Sequence, residues 1–590
     1  MNQATRTVPT LAVLALLSAC SAETHLLEAD EEVYGILDAK SDKALGEDSR
    51  VLTESWTLGA DAAPLRDRLL AELEGGKTPR LFLGLTKALD IAAENSRDFR
   101  DRKERLYVAA LDLTGQRNRY STIFSGTSAP RVSGAGDEDS QGDARSSLGF
   151  SKILASGARV LGSFVNTYLK VFTSGGGWDV SSLLSLSLTQ PLLEGFGREV
   201  ALEPLTQAER NVVYAIRDFE RFRRTFCVDI VTEYLNVLEL ENNLENQEAN
   251  LKSLELNRKR VEALAQAGRI PRFQVDQAVQ QEFSARDRTI LARSRLKSAK
   301  DRFKITLGLP LEIEIELDSG IFEVLRDLGV QTLGLGEKEA TEIAIRSRLD
   351  LLNAMERLED SERAVRIAEQ ALQMGLDLGL AVDVPNERDK PFKLRFDKID
   401  WEASLGIDLP LNKVPERNVL RRSLIDLDAA FRDYSLRMDR IKESIRNELR
   451  DVEQAFRSYR IQEQAVELAK QRVDSTVMLI DAGRASTRDY LEAEQALLTS
   501  QNSLTSALVD YVANKLRLLR DLEVLDVGAE GLALDLESLK DPDPGSEPSR
   551  NDPKGSSGES RPPVESRQDL PPPTVIPGGQ PSPDGKPVKK

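Results

Sequence analysis

The chain has 590 residues, 97 acidic against 80 basic, and a formal net charge of −17. That negative excess, with no basic stripe to offset phosphate repulsion, excludes nucleic acid as a partner. Charged residues make up 30% and aromatic residues 5%, the usage of long helices and coiled coils, and one histidine with two cysteines leaves no set for metal, cofactor or nucleophilic chemistry.

The first 19 residues read as a processing signal. Arg6 supplies the positive region and Leu11 to Leu17 the apolar run, followed by Leu17-Ser18-Ala19-Cys20. The tetrad resembles a bacterial lipobox, which makes Cys20 a lipidation site and anchors the mature chain to a membrane surface. Cleavage after Ala22 is the plainer alternative. Ser21, not Asp, follows the cysteine, a pattern that resembles outer-membrane sorting. No other run of about 20 apolar residues predicts a helical membrane span. With Cys20 so assigned, Cys227 has no disulfide partner and is expected to be a small buried hydrophobe. His25 is expected to be solvated.

Residues 20–80 are acidic and punctuated by Gly and Asp, an approach segment on the periplasmic side. From Leu83 to Gln116 the pattern is helical: Leu85, Leu89, Ala92 and Ala93 share a face, and Phe99, Leu106 and Leu113 continue it at sevenfold spacing. Ser125 to Ser147, rich in Gly, Ser and Asp, is expected to be a loop or surface insertion. Strand signals follow. Arg159 to Phe172 is β-branched and aromatic, and Leu184 to Thr189 alternates strictly between apolar and polar residues. In the second half, Trp401 to Leu409 alternates likewise, with Leu376 to Val384 as its partner across the charged loop 385–400.

Strands of this length can cross a tilted path through a bilayer. Four of them cannot close a barrel, whose minimum is about eight strands, and open edges in lipid are forbidden. If these strands span a membrane, several chains must pool them. A pair of soluble hairpins capping a stalk is the alternative.

The long helices carry the clearest pattern. Ile445, Val452, Tyr459, Val466, Val473 and Ile480 recur every seven residues, with Leu449, Phe456 and Val477 completing an a/d stripe that Glu463 and Lys470 interrupt. Val237, Leu244 and Leu251 fall in the same phase 215 positions earlier. The runs 204–267 and 415–482 would extend about 95 and 100 Å. Each ends in a similar turn, at Ala267-Gly268-Arg269 and Ala482-Gly483-Arg484, where the glycines suit the left-handed residue after a helix. Pro271 suits the first turn of the next helix, and Ser486 with Asp489 forms a capping-box pattern. The chain then runs back, over about 273–307 and 488–525. A unit made twice constrains the fold more than any single motif. Residues 541–590 are Pro, Gly, Ser and charge, a tail without a core.

These residues resemble the TolC family of outer-membrane efflux proteins, lipoprotein type, over roughly 83–525. The signature lies in Leu188-Thr189-Gln190-Pro191-Leu192-Leu193 before the first long helix, Leu307-Gly308-Leu309-Pro310 closing the first repeat, and the turns at Gly268 and Gly483. Leu335 to Leu352 is similar to Leu83 to Asp101 as a repeat-opening helix. The expected division is repeat 1 at 81–310, a connector at 311–334 and repeat 2 at 335–527. The resemblance implies a mainly α fold with membrane β-strands: two repeats of long antiparallel coiled-coil helices plus β-hairpins. It also implies a homotrimer whose twelve-stranded barrel in the outer membrane continues into a helical tunnel in the periplasm. A periplasmic adaptor protein and an inner-membrane transporter are the implied partners, in efflux or type I secretion, with outer-membrane lipids around the barrel.

The same resemblance implies an acidic ring at the periplasmic aperture from Asp489 and Glu492, three apart on one helix face. Repeat 1 carries Gln274 and Gln277 there. A capping role for Asp489 and a solvated face for Glu492 are the alternative. Gly268, Arg269, Gly483 and Arg484 are expected to contact the adaptor, against turn geometry and helix-dipole compensation as the plainer roles. The competing reading of the whole chain is a lipid-anchored structural coiled-coil protein of the periplasm without channel activity.

Overall fold

The computed structural model describes residues 22–45, 65–75, 79–134, 141–171, 179–327, 330, 334–388, 390–525 and 527. The leader with Cys20 and the tail 541–590 lie outside the described residues. The chain opens with α1 (Ala22–Leu45) and α2 (Leu65–Glu74), then the short strand β1 (Arg80–Leu83), α3 (Leu85–Asn95) and α4 (Arg97–Tyr120). Four strands follow: β2 (Ile123–Ser133), β3 (Gln141–Ile153), β4 (Arg159–Val171) and β5 (Asp179–Pro191). The single turn α5 (Arg198–Ala201) leads into α6 (Glu203–Gln266), which reverses into α7 (Phe273–Thr306). After β6 (Glu314–Leu317) and α8 (Ile321–Asp327), the plan repeats. α9 (Glu337–Ser347) and α10 (Leu349–Gln370) are followed by β7 (Gly375–Glu387), β8 (Lys390–Leu394) and β9 (Asp400–Asp408). The chain then descends α11 (Val414–Asp481) and returns on α12 (Thr487–Asp521).

The fold is mainly helical, with the expected repeats and long antiparallel helices. The seam read from the sequence is the buried stripe: Ile445, Val452, Tyr459, Val466 and Val473 are all under a tenth exposed. Side by side the long helices form one layer in the order α7, α6, α12, α11. Midway along α6, Tyr234 is fully buried, donates to the Leu83 carbonyl at 3.0 Å and accepts from the Asp318 backbone N–H at 3.0 Å. One side chain thereby ties α6 to the two strands β1 and β6, which pair in parallel. Phe99 of α4 packs on Phe219 and Phe226 of α6 with ring centroids 5.8 and 5.5 Å apart.

Two helical readings are refined. The single helix expected from Leu83 onward is two, because Ser96 is extended (φ −63°, ψ 133°) between α3 and α4. Arg348 makes the matching break between α9 and α10. The segment after the leader contains more structure than an approach segment needs. Val33, Ile36, Leu37 and Ala44 of α1 are buried, Tyr107 donates to Asp30 at 2.5 Å, and the Arg217 guanidinium donates to the Ala44 carbonyl at 3.1 Å. His25 is exposed beside Glu28 as expected. Cys227 is fully buried, and burial pushes its thiol up to about 12, so it behaves as an apolar residue.

The sheet departs furthest from expectation. Ser125 to Ser147, expected as a loop or insertion, is mostly two strands, and six long strands rather than four lie in the order β2-β3-β4-β5-β7-β9. Neighbours are antiparallel throughout. One face carries Phe124, Leu148, Phe164, Leu184, Val384 and, on β9, Leu405. The other carries Thr127, Ser147, Thr167, Ser185, Asp383 and Ser404. The apolar face is left uncovered: Phe124 is 78% and Trp401 76% exposed. An apolar outer face with a polar inner one is the pattern of a membrane barrel wall. Among the described residues no helix is long and apolar enough to cross a membrane.

Candidate functional site

The two helix reversals at the far end of the layer are built alike. Gly268 has φ +70° and Gly483 +69°. In each turn the glycine N–H and the following arginine N–H bond back to the last helical turn. Gly268 donates to Ala265 at 3.0 Å and Arg269 to Leu264 at 2.9 Å; Gly483 donates to Ile480 at 2.9 Å and Arg484 to Leu479 at 2.8 Å. This paired pattern satisfies carbonyls that a helix end leaves open, and it needs a left-handed residue at the glycine. Gly268, Arg269, Gly483 and Arg484 are all exposed at the extremity of the layer.

The start of α12 is fixed by a complete capping box. The Ser486 hydroxyl accepts from the Asp489 N–H at 3.3 Å, and the Asp489 carboxylate accepts from the Ser486 N–H at 2.8 Å. The bonds its carboxylate accepts from the Ser486 N–H and, at 2.7 Å, from the Ser486 hydroxyl, with Arg488 and Arg472 adding attraction, hold the Asp489 carboxyl below its usual range. Glu492 lies 3.2 Å from Arg472 of α11. Both carboxylates are exposed, on the side of α12 away from the buried Tyr490, Ala493 and Glu494. Asp489 thus has the capping role, and it also keeps its charge on the open face.

The two tips meet: Thr487 of repeat 2 donates to the Gln274 side chain of repeat 1 at 3.1 Å. Gln277 is exposed one turn on. Sequence reasoning missed three side chains here. Arg472 offsets Glu492. Buried Glu282 binds Arg258 at 2.5 Å and Arg286 at 2.9 Å, and buried Glu494 accepts from Tyr490 at 2.7 Å. Arg472–Glu492 and Arg258–Glu282 cross between helices, so only the packed register reveals them, whereas Glu282–Arg286 and Tyr490–Glu494 are neighbours one turn apart on a single helix. Among the described residues no group of His, Cys, Asp or Glu could hold a metal ion.

Residues 144–309, from within β3 to the end of the first repeat, match the family described as outer membrane efflux protein. That match covers less than a third of the chain. No curated protein sequence matches it significantly. Solved structures supply the rest of the comparison. It is similar to CusC, described as forming a transmembrane channel, with a TM-score of 0.55 at 14% identity, covering 74% of this chain and 91% of that one. The Campylobacter jejuni outer membrane channel CmeC gives 0.54 at 15%, covering 77% and 87%. VceC of Vibrio cholerae, an outer membrane protein, gives 0.53 at 18%, covering 74% and 95%. At these identities the likeness establishes the fold, and the chain carries it over nearly the whole length of each relative. The two tip turns, the capping box and the exposed acidic face stand on that fold.

Proposed function

We propose that three copies of this chain form the outer-membrane channel of a tripartite efflux or type I secretion system, passing substrates from an inner-membrane transporter and a periplasmic adaptor to the exterior. The observation that carries this reading is that the helical layer has two unsatisfied apolar edges. Phe283 and Ile290 of α7 are 59% and 61% exposed, and Ile461 and Leu468 of α11 are 63% and 65% exposed. At about 1.5 Å per residue from the tips, Phe283 stands near 15 Å, Leu468 near 20 Å, Ile290 near 25 Å and Ile461 near 30 Å. The four side chains interleave when α7 of one copy meets α11 of the next. Closing the layer in this way encloses a tube, and burying each such side chain contributes about 1.5–3 kcal/mol.

In the closed tube Asp489 and Glu492 would each appear three times around the axis, an arrangement that favours cations at the mouth. Asp489→Asn with Glu492→Gln is expected to lower the cation selectivity of single channels several-fold while leaving the trimer intact. Unchanged conductance and unchanged cation block would remove the ring.

The exposed turns are the surfaces an adaptor would meet first. Reversing charge at Arg269 and Arg484 should weaken cross-linking to the adaptor and spare trimer assembly. Trimer loss instead would assign the arginines to helix-end compensation. Cys20 is the proposed acylation site, holding the amino terminus at the outer membrane. Incorporation of labelled fatty acid should vanish in Cys20→Ala, and label retained in that variant would refute the anchor.

A further inference from the structure

The sheet has two ends, and their position fixes how it can close. β3 has no free edge: β2 pairs with its residues 141–151, and β4 covers 141–153 on the other side. β4 is likewise enclosed, since β5 pairs with its residues 159–169. Apart from the short β8, which pairs only with the last residues of β7, the remaining edges among the described strands are the outer sides of β2 and β9.

The extra hairpin is built into the wall. At the turn between β3 and β4, the Ser156 carbonyl accepts from the Gly197 N–H at 3.3 Å and from Gln190 Nε2 at 3.2 Å, while the Ser156 hydroxyl donates to Gln190 Oε1 at 2.8 Å. Gly157 (φ +90°) sits so close that a Cβ there would lie 2.6 Å from the Gly195 carbonyl oxygen. This turn is therefore seated on the segment that leads into α6. On the apolar face the Phe150 ring covers Gly162, where a Cβ would come within 2.2 Å of it, and Phe124 stacks beside Phe150 at 6.3 Å. The polar face continues through Thr127 and Ser147, whose hydroxyls are 2.7 Å apart. Both faces of the hairpin thus match those of the other four strands.

We infer that β2 and β3 are wall strands of the barrel, so that each chain contributes six strands and closes on the next copy through β2 against β9. With the trimer of the proposed function, on which this rests, the barrel has eighteen strands instead of twelve. An even number of antiparallel strands per chain leaves β2 antiparallel to the neighbour's β9, as closure requires. Edges exposed to hydrocarbon would leave N–H and C=O groups unsatisfied, and six strands alone fall short of the smallest membrane barrel. Pro130 withdraws one donor from β2, which an eleven-residue strand tolerates.

The widths agree as well. Strands about 4.8 Å apart and tilted about 40° each occupy about 6.3 Å of circumference, so six span about 38 Å and four about 25 Å. Four helices packed about 9–10 Å apart span about 36–40 Å. A six-stranded sheet fits the four helices that rise to it, α4, α6, α10 and α11. The resulting barrel is about 36 Å across between backbones, against about 24 Å for twelve strands. The outer mouth is then no narrower than the tunnel that feeds it.

Aligning the helix-side ends of the two edges, Ile123 with Asp408, places Thr127 opposite Ser404, both on the polar face. In the full-length protein, Thr127→Cys with Ser404→Cys is expected to give covalent dimers and trimers on oxidation, and reductant should return them to monomers. Ser125→Cys and Ala129→Cys, each with Ser404→Cys, cover a register one pair away. Ser163→Cys with Ser404→Cys, which would join β4 to β9 in a four-stranded closure, should stay monomeric on the gel. Cross-linking through Ser163 but not through β2 would overturn the inference and leave the trimer standing. So would a trimer in detergent that cross-links at none of these pairs. A β2–β9 cross-link in particles of two-chain mass would support the edge pairing and refute the trimer instead.

Discussion

Gly308→Ala is expected to cost about 2–5 kcal/mol of folding stability, whereas Gly483→Ala should cost about 1–2. Both glycines hold a left-handed conformation, at φ +74° and +69°, so the backbone penalty of a Cβ is the same. Their surroundings differ. A Cβ on Gly483 meets nothing within 4 Å, while one on Gly308 would lie 2.2 Å from the Asn95 carbonyl oxygen and 2.7 Å from its carbon. Those atoms are backbone at the end of α3 and cannot swing aside, so the first repeat's closing turn must be pushed away from the helix it packs on. Leu307 and Leu309, buried on either side, would lose their seats. The check is denaturation of the detergent-solubilised protein. Equal losses at the two sites would mean that Gly308 is needed only for its backbone angle.

Arg221→Met is the second large effect, about 3–5 kcal/mol, because it takes one guanidinium away from three carboxylates of a buried cluster at once. From α6, Arg221 reaches Glu523 at 2.8 Å, Asp521 at 3.3 Å and Asp350 at 4.0 Å. Glu523 is 3% exposed and Asp521 is 6% exposed. The site already carries surplus negative charge. Glu448 of α11 lies beside Asp521, with Ser444 at 3.0 Å from the one and 3.3 Å from the other. Burial, with Asp521 adding to it, raises the Glu448 carboxyl well above the usual carboxylate range. Removing Arg221 leaves Arg520 and Arg348 to serve Asp521 and Arg224 to serve Glu523. The same denaturation experiment reads the outcome. If Arg221→Met lowered stability no more than an exposed arginine does, under about 1 kcal/mol, the cluster would have no structural weight.

The long helices, their tips and the second-half strands were legible because their signals are local and dense. A heptad stripe of Val, Ile and Tyr needs no partner to be recognised, and a glycine followed by arginine at two places 215 residues apart marks the same turn twice. The hairpin of β2 and β3 was hidden by its composition. Ser, Gly and Thr on the polar face, and Gly126, Ser128 and Ser146 on the apolar one, look like a loop when counted. Phe124 and Val132, or Leu148 and Phe150, fall on alternate positions and carry the strand signal, but diluted. The packing of α1 was hidden for another reason: its anchors, Tyr107, Glu209 and Arg217, lie far along the chain. At the tip, the sequence located Asp489 and Glu492 and named the capping alternative. The partner of Glu492, however, depends on the register between α11 and α12.

The proposed trimeric tube must conduct if it spans the outer membrane. Single-channel recording of the purified full-length protein in planar bilayers tests this most directly. Discrete, cation-favouring conductance steps from particles with the mass of three chains are the expected result. A monomer that inserts into no bilayer and passes no current would contradict it and would leave a lipid-anchored coiled-coil stalk in its place.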